Sequence, residues 1–281
     1  MTPTTPDSPT GDPLLQLVDI RMHFGGVTAL KSVKYDVPEG VIQSVIGPNG
    51  AGKTTLLHCV SGLLEPSGGR VLFLGEEIQG RPPHRIARLG LSRTFQHVAL
   101  FQKMSVLENV MVGRHPRTRS GFWAAGLRWP GMMSEERRIR EAAEATLAFV
   151  GLSDLADRPA GSLPLGQQKM LEIARALATE PRLLLLDEPA GGLNTRETEE
   201  LGGLIQKIRE KGVTIVLVEH DMNLVMEISD RIVVLHYGRI LASGSPGEIK
   251  DNPEVIQAYL GEDWSEGSRT DGAPSWRESS L

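Results

Sequence analysis

The chain has 281 residues, 40% of them hydrophobic and 23% charged, enough to bury one large core or two small ones. A net charge of −5 argues against a protein that coats nucleic acid, and a single cysteine, Cys59, excludes an internal disulfide and fits a reducing compartment. No run approaches the roughly 18 apolar residues of a spanning helix, and no basic start with an apolar run marks a secretory signal, so a soluble, cytoplasmic protein is expected.

Residues 1–13, rich in Thr, Pro and Asp, and 262–281, rich in Ser, Gly and charge, carry no periodic apolar face and are expected to be disordered. The remaining 14–261 read as one domain in which short β runs alternate with amphipathic helices, the pattern of an α/β fold. Val33–Val37 alternates apolar and polar residues like a half-buried strand. Val41–Ile46 is a strand-like run, apolar but for Gln43 and Ser44, and is followed by a glycine-rich loop and a helical stretch, Lys53–Ser61. Another run, Leu91–Phe95, ends at Gln96. From about 97 to 164 no strand is evident. This stretch reads as an inserted helical subdomain, with a capping box at Ser105 and Glu108 and a helix near Ser134–Val150 that buries Ile139, Ala143, Leu147 and Val150 and is closed by Gly151. Leu183–Leu186, Val213–Val218 and Ile232–Leu235 are likewise apolar runs, broken only by Thr214, as suits parallel strands covered on both faces. Between the first two of these, Leu201, Leu204, Ile205 and Ile208 form a helical stripe. A second capping box, Ser245 and Glu248 with Pro246 at the first helical position, follows the last.

The glycine-rich loop Gly47-Pro48-Asn49-Gly50-Ala51-Gly52-Lys53-Thr54 matches GxxxxGK[ST] in its required strand–loop–helix setting. Glycines let the backbone wrap a phosphate with its N–H groups inward, and the helix N-terminus adds partial positive charge. Lys53 supplies a full charge for the β- and γ-phosphates, and the Thr54 hydroxyl is a Mg²⁺ ligand. Alone this motif does not separate a transport ATPase from a kinase or a GTPase. Leu183–Leu186 then runs into Asp187 and Glu188. At the end of a parallel strand Asp187 can hold Mg²⁺, and Glu188, on the turn, can polarise a water aimed at the γ-phosphate. His220, just past Val213–Val218, can donate to the same phosphate. A lone His at a strand end is more often structural, and Gln96 by itself carries almost no signal. Neither the Arg residues at 114, 117, 119, 128, 137, 138 and 140 with Trp123 and Trp129, nor His58 and Cys59, calls for more than a solvated face and packing, respectively.

Taken in order, Phe24, the phosphate loop, Thr94-Phe95-Gln96, Leu163-Pro-Leu-Gly-Gln-Gln168, Leu186-Asp-Glu-Pro189, Ala190-Gly-Gly-Leu-Asn194 and Val218-Glu-His-Asp221 resemble the ATP-binding-cassette ATPases over about residues 15–261. The resemblance implies a phosphate-loop NTPase core with a mixed or parallel sheet, an N-terminal antiparallel β part and the inserted helical subdomain. It implies that ATP and Mg²⁺ are bound. Phe24 stacks on adenine, residues 47–54 and Thr55 hold the phosphates, Thr54, Gln96 and Asp187 contact Mg²⁺, and Glu188, His220 and Gln96 serve catalysis. It also implies that residues 163–168, with Gly166 and Gln167, complete the site of a second protomer. The sequence departs from the family pattern at Pro164 and Leu165, where Ser and Gly are usual, so the Gly166 N–H and the helix dipole are expected to replace a serine contact. It departs again at Asn194, where Asp is common.

The segment Arg93–Phe101, Met104–His115, Leu171–Leu177, an insertion around 118–133 and the ending Val255–Gly261 are similar to branched-chain amino-acid importer ATPases. That likeness implies two permease subunits, a second related ATPase or another copy of the chain, an external solute-binding protein reached indirectly, no nucleic acid, and a peripheral position on the cytoplasmic face of the inner membrane. Urea and amide importers share much of the pattern. A soluble cassette acting in translation or DNA repair is the non-transport alternative.

Overall fold

The computed structural model describes residues 13–94, 96, 98–114 and 130–263. The expected tails therefore lie outside the described residues, apart from Pro13 and the last turn of the final helix, as does most of the 118–133 insertion. In chain order the elements are β1 (Leu15–Phe24), β2 (Val27–Val37), β3 (Ile42–Ile46), α1 (Lys53–Val60), β4 (Gly68–Phe73), β5 (Glu76–Glu77), α2 (Pro83–Leu89), β6 (Leu91–Arg93), α3 (Val106–Gly113), α4 (Pro130–Phe149), α5 (Leu165–Leu177), β7 (Leu183–Asp187), α6 (Thr195–Glu210), β8 (Thr214–Val218), α7 (Met222–Ile228), β9 (Arg231–His236), β10 (Arg239–Gly244), α8 (Pro246–Lys250) and α9 (Pro253–Asp263). They group into two compact units, Met1–Pro82 with Ile205–Leu281, and Pro83–Leu204. The second is wider than the 97–164 subdomain read from the sequence, because it includes α2, β6, β7 and most of α6.

In the first unit an antiparallel sheet of order β2-β1-β4-β5 forms the N-terminal part. Leu15 pairs with Val37 on one side and Phe73 on the other. Val33, Tyr35 and Val37 are buried and Lys34 and Asp36 exposed, the alternation expected of a sheet with one wet face. The alternation breaks at Asp19 and Ser32, whose φ angles are 56° and 65°, and there the β1–β2 register shifts. The other strands of this unit are mixed. β3 runs parallel to β8 and β9, while β10 returns antiparallel to β9. Every residue of β3 and β8 is buried, the polar Gln43, Ser44 and Thr214 along with the apolar majority. Ile46, Val225, Ile232, Val234, Ile249 and Val255 close a core beneath α7, α8 and α9.

The second unit holds the parallel pair β6–β7 and a helical core. Val106, Val110, Ala143, Leu147, Leu171 and Ala174 join α3, α4 and α5 in one apolar cluster. α4 ends as its sequence indicates: Gly151 has φ 76° and the Leu152 N–H donates to the Leu147 carbonyl at 2.9 Å, a Schellman closure. Both capping boxes form. On α4 the charged face is solvated and internally paired, Arg137 with Glu141 and Arg140 with Glu144, while Arg114 pairs with Glu180 at 2.7 Å. Asn109, fully buried, accepts from the Phe101 N–H at 2.9 Å and donates to the carbonyls of Phe101 and Ser105 at 3.1 and 2.9 Å, which fixes the loop entering α3.

α3 leaves this core at Gly113, where a Cβ would run into the Arg175 carbonyl oxygen of α5. Gly113→Ala is therefore expected to cost about 1–3 kcal/mol through forced separation of the two helices. Urea unfolding at constant m-value measures it, and an unchanged midpoint would show that α3 and α5 slide apart freely.

Candidate nucleotide site

In the first unit β3 delivers the chain to the phosphate loop. Gly47 has φ 146°, and a Cβ there would strike the Leu235 carbonyl of β9. Gly52 has φ 105°, and its Cβ would lie 2.8 Å from the Ala29 carbonyl and 2.9 Å from Leu30 of β2. The loop is thus clasped between two strands, and the Tyr237–Gly238 turn ties them: the Gly238 N–H donates to the Ala51 carbonyl at 2.9 Å, and the Lys31 N–H to the Gly238 carbonyl at 2.7 Å. α1 begins at Lys53 with no side-chain cap and no acidic residue in its first turn, so its N-terminal dipole meets no anion of its own. Lys53 is 8% exposed and donates through Nζ to the carbonyls of Gly47 and Pro48 at 2.5 and 3.0 Å. The lysine lies along the cradle that it would share with a phosphate. The cradle fits such a group: glycine backbone, a helix N-terminus and a buried ammonium, with no carboxylate opposing it in the helix's first turn.

Past β8 the residues 219–221 divide their tasks. The Glu219 side chain is fully buried, and its Oε2 accepts from the backbone N–H groups of His220 and Asp221 at 3.0 and 3.4 Å. Asp221 caps α7 by accepting from the Asn223 and Leu224 N–H groups. Between these anchors the His220 ring stays exposed, 3.8 Å from the Glu219 carboxylate. Phe24, closing β1, is 44% exposed, an uncovered aromatic face rather than a core side chain.

In the second unit Asp187 ends β7 almost fully buried, its Oδ2 paired with Arg93 at 3.2 Å. Burial pushes the Arg93 guanidinium below its usual range, and the Asp187 charge opposes that shift. Gln96 donates through Nε2 to Glu188 Oε2 at 3.0 Å, so two residues singled out from sequence meet directly. Glu188 itself has φ 48°, an uncommon left-handed conformation for a residue with a Cβ. Phe95 and His97, which flank Gln96, lie outside the described residues.

The signature segment turns into α5 at Pro164, whose φ of −55° and ψ of 156° suit an N-cap position but which offers no capping side chain. Gln168 Nε2 donates to the Leu163 carbonyl at 2.8 Å, which ties the approach to α5 without capping its first N–H groups. Leu165 is exposed, while Gly166 is buried because a Cβ there would lie 2.6 Å from Glu197 Oε1. Glu197 belongs to a reciprocal cap on α6. Asn194 Oδ1 accepts from the Glu197 N–H, and Glu197 Oε2 accepts from the Asn194 N–H, both at 3.0 Å. Asn194 therefore does the capping work that an Asp would do there.

Sequence reasoning did not single out Arg93, Lys169, Glu197 or Glu219 as site residues. Arg93 and Glu219 sit beside motif residues, and a charge next to an apolar strand was the available signal. Glu197 stands three residues after Asn194, a capping-box spacing that was a local signal for it, while Lys169 reveals itself only through tertiary packing. Among the described residues no three His, Cys, Asp or Glu side chains cluster as a metal site, and no helix is long and apolar enough to cross a membrane.

This loop on this α/β scaffold defines a phosphate-loop nucleotide-binding protein. Residues 30–191 match the model of the ABC transporter family, and residues 239–265 that of the branched-chain amino acid ATP-binding cassette transporters. The chain belongs to the ABC transporter family, among its branched-chain amino acid transport ATP-binding proteins. It is 50% identical over 251 residues to the high-affinity branched-chain amino acid transport ATP-binding protein BraF of Pseudomonas aeruginosa, covering 89% of this chain and 98% of BraF. The same lengths align at 45% identity with LivG, the equivalent protein of Escherichia coli K12. The crystal structure of a nucleotide-free ATP-binding cassette from an ABC transporter superposes with a TM-score of 0.77 at 33% identity, over 88% of this chain and 98% of that one. A dimeric cassette in a post-hydrolysis state, bound to ADP and Pi, gives 0.70 at 26% identity, over 83% and 98%. As a member of this family the chain is an ATP-hydrolysing transport subunit, and its α/β class with an antiparallel N-terminal part agrees with the sequence reading.

Cys59, on α1 one turn beyond the loop, is buried in the core, and burial pushes its thiol up to about 11. At pH 8 iodoacetamide is expected to alkylate it about 100-fold more slowly in the native chain than in denaturant, since the thiolate is the reactive form. The native rate should rise as pH approaches 11. Equal rates in the two states would place the thiol at the surface.

Proposed function

We propose that this chain powers uptake of branched-chain and other hydrophobic amino acids through two separate permease subunits, working as a dimer with itself or with a related ATPase at the cytoplasmic face of the inner membrane. An external solute-binding protein would deliver the amino acid to the permeases. The observation that carries this reading is the 50% identity to BraF across 98% of that protein's length. In this reading ATP stacks its adenine on Phe24 and lies along Gly47, Pro48, Asn49, Gly50, Ala51, Gly52, Lys53, Thr54 and Thr55. Gly166 and Gln167 of the other protomer face its γ-phosphate across the helix N-terminus.

Lys53 exchanges its loop carbonyls for the β- and γ-phosphates. Glu188 takes the proton of the attacking water, with its carboxylate steadied by Gln96. His220, free to turn between two fixed neighbours, donates to the γ-phosphate. Thr54, Gln96 and Asp187 are all oxygen donors, which is the set that Mg²⁺ takes, and they would hold it. When bound, the ion neutralises charge on the β- and γ-phosphates. Closure of the dimer would be passed to the permeases through the Gln96–Arg114 surface.

Two measurements bear on the proposal. Glu188→Gln should keep ATP affinity within about twofold while lowering turnover at least ~100-fold; undiminished hydrolysis removes Glu188 from its role. In vesicles holding the chain with its permeases, leucine supplied on its binding protein should stimulate ATP hydrolysis. Stimulation by urea alone would transfer the chain to the amide importers.

A further inference from the structure

We propose that Lys169, one turn inside α5, is a positioning residue for Glu188, holding the peptide of that residue so that its carboxylate is aimed. The inference deepens the reading of Glu188 as general base and rests on it. Lys169 is 5% exposed, an unusual place for an ammonium, because a buried charge without acceptors is costly. Its Nζ donates to the Glu188 backbone carbonyl at 3.4 Å. The same oxygen accepts from the Gly191 N–H at 3.2 Å. Two donors therefore fix the plane of the peptide that follows Glu188, in a residue whose φ of 48° would otherwise relax.

At its other end the Glu188 side chain is held by Gln96, 3.0 Å from Oε2. The base is thus restrained at both ends, by Lys169 and Gly191 at the peptide and by Gln96 at the carboxylate. The helix that supplies Lys169 also starts with the signature segment. Gly166 presses on Glu197, and a Cβ on Gly192 would lie 3.0 Å from Leu165, so the opening of α5 is packed along the chain that leaves Glu188. A displacement of α5 would therefore be felt at the Glu188 peptide through Lys169. A lost donor at that peptide changes aim rather than nucleotide binding, and small misplacements of a catalytic group cost up to about 100-fold in rate.

The test compares Lys169→Met, which fills the same volume without the charge, with Lys169→Arg and Lys169→Gln, each in the full chain and again combined with Glu188→Gln. Lys169→Met is expected to lower kcat 10- to 100-fold, with KM for ATP and nucleotide affinity within about twofold. Lys169→Arg should recover most of the rate, and Lys169→Met should add nothing to the residual rate of Glu188→Gln. Should Lys169→Met fail to fold, the same pattern is read from Lys169→Gln. A wild-type kcat in the folded variant, a parallel loss of nucleotide affinity, or a full additional loss on the Glu188→Gln background would each overturn the proposal. An active Glu188→Gln would instead overturn the assignment of Glu188 itself.

Discussion

The phosphate loop lies with its own backbone directly on two others, that of β9 at Gly47 and that of β2 at Gly52. Such an approach leaves no room for a Cβ, so glycine is required there by packing before any ligand is considered. The bracing also gives the N-terminal antiparallel strands a mechanical task. Ala29 and Leu30 press on the loop from β2, and the Gly238 turn pins both through hydrogen bonds to Ala51 and Lys31. A cradle held this way is preformed, and its donors need little reorganisation when a phosphate arrives.

Within each unit the buried charges are anchored chiefly to backbone groups and to each other. Glu219 is spent on two N–H groups, Lys169 on a carbonyl, and Asp187 is paired with Arg93. Interactions of this kind add little net stability, because desolvation offsets most of the attraction, but removing one partner leaves the other exposed to the full penalty. Their effect is to fix conformation. Glu219 fixes the entry to α7 and leaves the His220 ring exposed beside it, and Arg93 fixes the end of β7 so that Glu188 begins its turn from a defined place.

Much of this was legible in the sequence because the signals were local. Largely apolar runs marked β3, β7, β8 and β9. The stripe at Leu201, Leu204, Ile205 and Ile208 is wholly buried on α6, and both capping boxes form as their spacing indicates. The site motifs carry their chemistry within a few residues, which is why Lys53, Asp187, Glu188 and Gln96 could be named. What escaped was non-local. The close crossing of α3 and α5 at Gly113 depends on a carbonyl 62 positions further along the chain, at Arg175, and the Lys169–Glu188 contact joins a helix to a turn two elements on. The bulges at Asp19 and Ser32 interrupt an otherwise regular alternation through backbone geometry that residue type alone does not specify.

The contact between Gly166 and Glu197 has an evolutionary consequence. A larger residue at 166 would push the Glu197 carboxylate aside, and that carboxylate is half of the reciprocal lock with Asn194 that starts α6. The two helices are therefore not free to diverge separately. A change at 166 reaches the start of α6 through a single carboxylate.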